Sequence, residues 1–209
     1  MMTAQEVNET VTRLKKDFRS MMNGVASGAM REKGLDYGVN FGVEGVRLTE
    51  LSRDLPHDAA LARALWQERV RECRLLAPMT YPVEEFAQDV CEAWIDTLRT
   101  SEEAQYLAMH LLQHLSYAGE KVMEWMASEN ALRQLCGFLT AGRLLGGGVR
   151  FYGRERNELL DQCETAMYGK NPQVARAAYN ALQRFGSQNS YQETEVEKIF
   201  SKFAEQKHP

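Results

Sequence analysis

The chain has 209 residues, 44% hydrophobic and 26% charged, with only five prolines. That balance excludes a disordered chain and leaves long helices easy to build. A net charge of −4 excludes a uniformly basic nucleic-acid binder. No apolar run approaches the roughly 18 residues of a membrane span, and the N-terminal stretch MMTAQEVNETVTRLKKDF lacks an apolar signal core, so a cytoplasmic protein is expected. Cysteines 73, 91, 136 and 163 form no CxxC pair and read as buried free thiols, with neither a zinc site nor a redox motif.

Period-3.6 patterns recur along the chain, and sustained period-2 alternation is absent. A first helix is expected over Thr3 to about Met22, stopped by Asn23-Gly24. Ala29 to Gly45 is glycine-rich and reads as a loop with a short helix. Val46 to Leu55 is helical and ends at Pro56. Asp58 caps a helix presenting Leu61, Ala64 and Leu65; the chain turns near Arg69, and a second segment reaches Leu76. Pro78 and Pro82 bracket a turn, with Pro82 placed to open a helix carrying Val83, Phe86, Val90, Trp94 and Leu98. Thr100 or Ser101 caps the next, whose stripe runs from Ala104 to Leu115, with Glu102 and Glu103 in its first turn.

Gly119 separates that helix from a short one ending near Trp125–Ala127. Ser128 caps Ala131 to Leu145, and Gly146-Gly147-Gly148 stops it. Val149 to Tyr168 follows. Asn171-Pro172 then reads as a cap and first helical residue for a stripe of Val174, Ala177, Ala178, Ala181, Leu182 and Phe185, ended by Gly186. A last amphipathic helix carries Val196, Ile199, Phe200 and Phe203.

Helices of this length, paired at a period of roughly 35–45 residues, have the scale of HEAT-type repeats. The expected fold is therefore all-α: a right-handed α-α superhelix, or solenoid, of antiparallel helix pairs in one domain over residues 1–209. About ten helices are too many for a four-helix bundle. Its core is expected to include Leu65, Phe86, Val90, Leu107, Leu111, Leu115, Leu139, Val174, Ala178 and Leu182.

The stretch from Asp36 to Pro82 gives the pattern a family likeness. Asn40-Phe41-Gly42-Val43 leads into an Arg-bearing helix, followed by Leu65-Trp66, a polar gap, and Glu72, Arg74, Leu76 and Ala77. This order resembles the AlkD-type DNA alkylation repair family of HEAT-like repeat DNA glycosylases. Trp125-Met126-Ala127-Ser128-Glu129-Asn130 resembles a turn of the same family, and the likeness spans roughly residues 30–186. It implies a site on the helix holding Cys91 to Arg99. There the family carries an aromatic pair, an Asp beside it, and a second Asp three residues on, which stabilises the cationic sugar as the base leaves. Trp94 matches the first aromatic and Asp96 the first Asp, whereas Ile95 stands at the second aromatic and Arg99 at the catalytic Asp. Asp96 is thus the one candidate catalytic carboxylate. The family's backbone-binding arginine falls on Leu135, with Arg133 half a turn earlier. Its later tryptophan falls on Asn180, and its early cleft tyrosine near Lys33, with Tyr37 close by.

Charge is uneven. Residues 1–128 hold 14 basic and 20 acidic side chains (−6), residues 129–186 hold 8 and 5 (+3), and the remainder 3 and 4 (−1). Arg143, Arg150, Arg154, Arg156, Lys170, Arg176 and Arg184 are the basic candidates. Arg150 and Arg154 are spaced to share a helix face, and Glu155, Glu158 and Asp161 are placed to pair with several of the seven. Candidate DNA-binding residues are accordingly Trp94, Arg99, Arg133, Arg143, Arg150, Arg154 and Arg176. His110 and His114 are spaced i, i+4 but lack a third ligand, so no metal and no cofactor is expected. Two functions fit: a protein that cradles duplex DNA on a concave face, as a divergent glycosylase or without catalysis, and a protein-interaction scaffold.

Overall fold

A computed structural model describes residues 1–35 and 37–207; Asp36, at the head of the family-like stretch, lies outside the described residues, as do His208 and Pro209. Among the described residues there are twelve α-helices, two 3-10 turns and no strand beyond a single bridge between Val39 and Val70. No helix is long and apolar enough to cross a membrane. Backbone contacts divide the chain into two compact units, Met1–Trp94 and Ile95–Pro209.

The first unit contains α1 (Ala4–Ser20), α2 (Gly24–Glu32), α3 (Gly45–Arg53), α4 (Ala59–Gln67) and α5 (Arg71–Thr80). Helix α1 begins where Thr3 and Glu6 form a reciprocal capping box. Asn23 does more than stop α1: its side chain accepts from the Ala26 amide and opens α2, a helix that the glycine-rich composition hides. Asp58 caps α4 as expected, accepting from the Ala60 and Leu61 amides.

The Asn40–Val43 segment is bound to α5 by a buried ion pair. Arg71 Nη1 lies 3.1 Å from Glu72 Oε1, both side chains being almost fully buried. Glu72 also accepts from the amides of Phe41 and Val43, and Arg71 donates to the Val43 carbonyl. A buried pair is tolerable when its remaining polar valences are met in this way. Gly42 sits at φ 73, where a Cβ would stand 2.2 Å from the Asn23 carbonyl oxygen, so only glycine fits.

Pro78 lies within the last turn of α5, not in a turn after it, and Pro82 precedes the 3-10 turn Val83–Glu85 instead of opening a helix. The helix with Trp94 is α6 (Gln88–Asp96). Pro82 carries ψ 122, an extended value that starts no α-helix.

The second unit contains α7 (Ser101–His110), α8 (Ala118–Met126), α9 (Ala131–Gly146), α10 (Gly153–Met167), α11 (Pro172–Gly186) and α12 (Ser190–Lys207). Helix α9 packs on α7, α8 and α11, and α11 packs on α10 and α12. Thr100 and Asn171 cap α7 and α11 as expected. Asn130, not Ser128, caps α9; Ser128 accepts from the Asn130 amide. Helix α7 ends at His110, because Leu111 departs at φ −132 and a 3-10 turn, Leu112–His114, follows. His110 and His114 are therefore not i, i+4 on one α-helix. Gly119 lies inside α8, and Val149 to Tyr152 precedes α10 as an irregular loop.

The four cysteines are free and buried. Of the ten expected core residues eight are buried, while Val90 and Leu139 are only half-buried.

Candidate functional site

The expected site residues separate into three environments. Trp94 belongs to the interior of the first unit, 5% exposed. Its ring stacks parallel on Trp66 at 4.3 Å, with Tyr81 and Phe86 edge-on at 5.5 and 5.2 Å. On the other side, the Arg74 guanidinium lies 4.0 Å from the Trp66 ring centre. Trp94, expected to contact a ligand, has its hydrophobic area in packing, and an arginine supplies the cation that the π face of its stacking partner attracts.

Asp96 and Arg133 meet each other. Arg133 Nη1 lies 2.8 Å from Asp96 Oδ1, and Nη2 lies 3.2 Å from Glu124 Oε1. The Asp96 side chain is 64% exposed and that of Arg133 only 16%. Arg133 thus holds two carboxylates from neighbouring helices. Arg99 is exposed, with only its backbone amide engaged, by Glu103. Ile95 and Leu135 are buried.

The third environment is a groove in the second unit. One cavity of it, of about 500 Å3, is lined from α9 by Phe138, Leu139, Gly142 and Arg143, from α11 by Ala177, Asn180 and Arg184, and by Gln113. Two adjoining cavities share Arg184 with it; one adds Arg150 and Gln188, the other Gln183 and Ser187. None of the described residues lining the three is a carboxylate. The Arg184 side chain lies against Gly146 of α9, its Cδ at 3.6 Å from where a Cβ would stand, an ordinary contact distance. Arg143 is half-buried. Burial, and then the like charge of Arg184, push its guanidinium below the ordinary pKa.

Arg143 and Arg150 each line a cavity that Arg184 also lines. Arg154 and Arg176 are exposed outside the lining of these cavities. Arg150 and Arg154 do not share a helix face, since α10 starts between them at Gly153. Nor do Glu155, Glu158 and Asp161 neutralise the basic set. Arg156 instead pairs with Glu195 and lies over the Phe185 and Tyr191 rings, and Glu158 accepts from Gln162. Arg184 was one basic residue among seven in the sequence. A sharper signal was present, since Arg143 and Arg184 are 41 residues apart, one helix-pair period. Sequence reasoning also missed a cavity of about 680 Å3 in the first unit, where Lys15, Arg19 and Arg69 surround Phe41 and Lys15 pairs with Glu68.

Comparison with known proteins bears on this geometry. Comparison with curated proteins finds no match. A solved structure described as "a new family of proteins related to the HEAT-like repeat DNA glycosylases with affinity for branched DNA structures" matches at a TM-score of 0.79 and 14% identity, over 90% of this chain and 80% of that one. At that identity the likeness shows the fold: an all-α array of HEAT-like type, as the helix periodicity implied. The model of the family described as DNA alkylation repair enzyme matches residues 14–196. That span covers most of both units, including the Asn40–Val43 segment, the Trp66–Trp94 stack and the arginine groove, and the chain therefore belongs to the DNA alkylation repair enzyme family.

Proposed function

We propose that this protein binds DNA through the phosphate backbone, using the groove of the second unit, and does not excise alkylated bases efficiently. The observation that carries the reading is the juxtaposition of Arg143 and Arg184 in a cavity without a lining carboxylate, continued by Arg150. Phosphate contacts need cations held at a concave surface and no base-specific geometry. The +3 balance of residues 129–186 supports the same placement within an acidic chain. The related solved structure is described as having affinity for branched DNA. We extend that preference to this chain, with duplex arms as the element gripped.

The catalytic half of the proposal rests on Asp96, Arg99 and Ile95. The carboxylate that the family resemblance requires is replaced by Arg99, and Asp96 is already paired with Arg133. A groove that binds phosphate without a free carboxylate beside it can hold DNA but supplies nothing to a departing cationic base.

The test is a titration of the whole protein against a linear duplex and a four-way junction, at several salt concentrations, beside a base-release assay on N-methylated duplex. Binding that weakens with salt, with the junction preferred, supports the reading. Absence of binding to either DNA at low salt overturns it and leaves a protein-interaction scaffold as the function of the array.

A further inference from the structure

The loop between α9 and α10 reads Gly148-Val149-Arg150-Phe151-Tyr152-Gly153-Arg154. Phe151 is its one buried residue, and the other six are exposed. Phe151 is 3% exposed and anchored in the core, whereas Tyr152 is 69% exposed, one of the most exposed large aromatics of the chain. The loop is fixed at its base. Gln188 Nε2 donates to the carbonyls of Leu145 and Val149 at 3.0 and 2.7 Å, and the Val149 amide donates to the Leu144 carbonyl. Gly148, at φ 90, provides the turn out of α9. A segment pinned by a buried phenylalanine and a glutamine clamp presents its next side chain in a defined place.

We propose that Tyr152 is a stacking platform for an unpaired nucleobase of a branched DNA. The inference rests on the DNA-binding reading above and deepens it by naming what distinguishes a branch from a plain duplex. Three observations converge. The ring is held out in solvent on a braced loop, where exposure brings no folding advantage. Arg150, two residues before it, lines the groove cavity with Arg184. Arg154, two residues after it, is exposed in the first turn of α10 and forms no ion pair with a described residue. An aromatic face flanked by cations is the combination that takes a base and its neighbouring phosphates together. In an intact duplex both faces of every internal base are covered by the stack, so Tyr152 has nothing to receive. A flap, gap or strand crossover offers an open face.

The experiment compares the full chain with Tyr152→Ala, Tyr152→Phe and the double variant Arg143→Glu/Arg184→Glu. The probes are a three-way junction with a single-stranded flap, carrying 5-iododeoxyuridine at the branch point, and a linear duplex of equal length. Tyr152→Ala is expected to weaken junction binding about tenfold while leaving duplex binding and Tm unchanged. Tyr152→Phe keeps wild-type affinity, since the ring and not the hydroxyl carries the contact. On irradiation the wild type crosslinks through the peptide containing Tyr152, and the alanine variant does not. If Tyr152→Ala binds both probes as wild type does, or the crosslink maps elsewhere, the platform is refuted; should the double variant then still lose both probes, the groove reading stands. Failure of the wild type to bind either probe refutes both.

Discussion

Truncating the two groove arginines tests the placement of the interface most directly. Each phosphate neutralised on B-form DNA releases condensed counterions and contributes a slope of about 0.9 to the fall of log K with log salt. If Arg143 and Arg184 each hold one phosphate, Arg143→Ala should reduce the slope by about 0.9 and the double alanine variant by about 1.8. At about 0.15 M salt this corresponds to roughly fivefold weaker binding for one contact and thirtyfold for two. Both side chains are already placed in the groove, Arg143 half-buried on α9 and Arg184 laid against Gly146, so little ordering opposes the contact. Arg47, which pairs with Glu50 on the surface of the first unit, is the control, and its alanine variant should keep the wild-type slope. The assay is fluorescence anisotropy with a labelled duplex between about 0.05 and 0.3 M salt. An unchanged slope in the double variant, or an equal loss in the Arg47 control, refutes the groove as the phosphate site.

Three further outcomes follow from the packing. Gly42→Ala should destabilise the first unit by about 2–4 kcal/mol, because an alanine at that φ is strained and its Cβ meets the Asn23 carbonyl at 2.2 Å; calorimetry reads the loss, and an unchanged Tm contradicts the loop geometry. Burial pushes the thiols of Cys73 and Cys163 up to about 12, so the native protein at about pH 8 should leave both unreacted with a thiol reagent that labels all four cysteines after denaturation. His110 is held down to about 4, first by burial and then by Arg143 and His114, so it folds neutral while the unfolded chain binds its proton near 6.5. Its contribution to stability is present above pH 6.5 and falls as the pH drops from 6.5 to about 4; denaturant titrations should show that slope, and His110→Gln should flatten it.

The elements most legible in the sequence were those with a local chemical cause. Thr3, Asp58, Thr100 and Asn171 were readable as caps because a short polar side chain satisfies amides two or three residues on, whatever lies elsewhere in the fold. Helix α2 was obscured because its composition is poor and its start depends on Asn23, whose backbone amide also donates to the Phe41 carbonyl, 18 residues away. Pro78 misled because proline is tolerated where tertiary packing holds the helix around it: every residue of α5 is buried. At the site, cations were legible and their neighbours were not. Which arginines are neutralised depends on contacts distant in sequence, such as Arg133 with Asp96 and Arg156 with Glu195. Arg143 and Arg184 come together in one cavity only when α9 and α11 are seen side by side.

The base-excision test decides the remaining half of the proposal. Loss of an N-methylated purine leaves positive charge on the sugar, and a nearby carboxylate lowers that barrier; removing one such stabiliser costs about 10²–10³ in rate. Arg99 puts a cation where the family resemblance calls for that carboxylate, and Ile95 is buried, so no aromatic face replaces the lost one. Asp96, the last residue of α6, is the candidate carboxylate. Its charge is shared with Arg133 at 2.8 Å, and its 64% exposure leaves it in high dielectric, where it stabilises a transition state weakly. We therefore expect N7-methylguanine release under single-turnover conditions to stay within about tenfold of the protein-free rate, with Asp96→Asn changing nothing. Arg133→Ala supplies the sharper arm. If Asp96 is a latent catalytic group restrained by its partner, freeing it should raise the rate, whereas a purely structural ion pair predicts a rate still at background. Release well above background in the wild type, abolished by Asp96→Asn, would show that the chemistry has moved three residues back, from Arg99 to the end of α6, and that the binding-only reading is wrong.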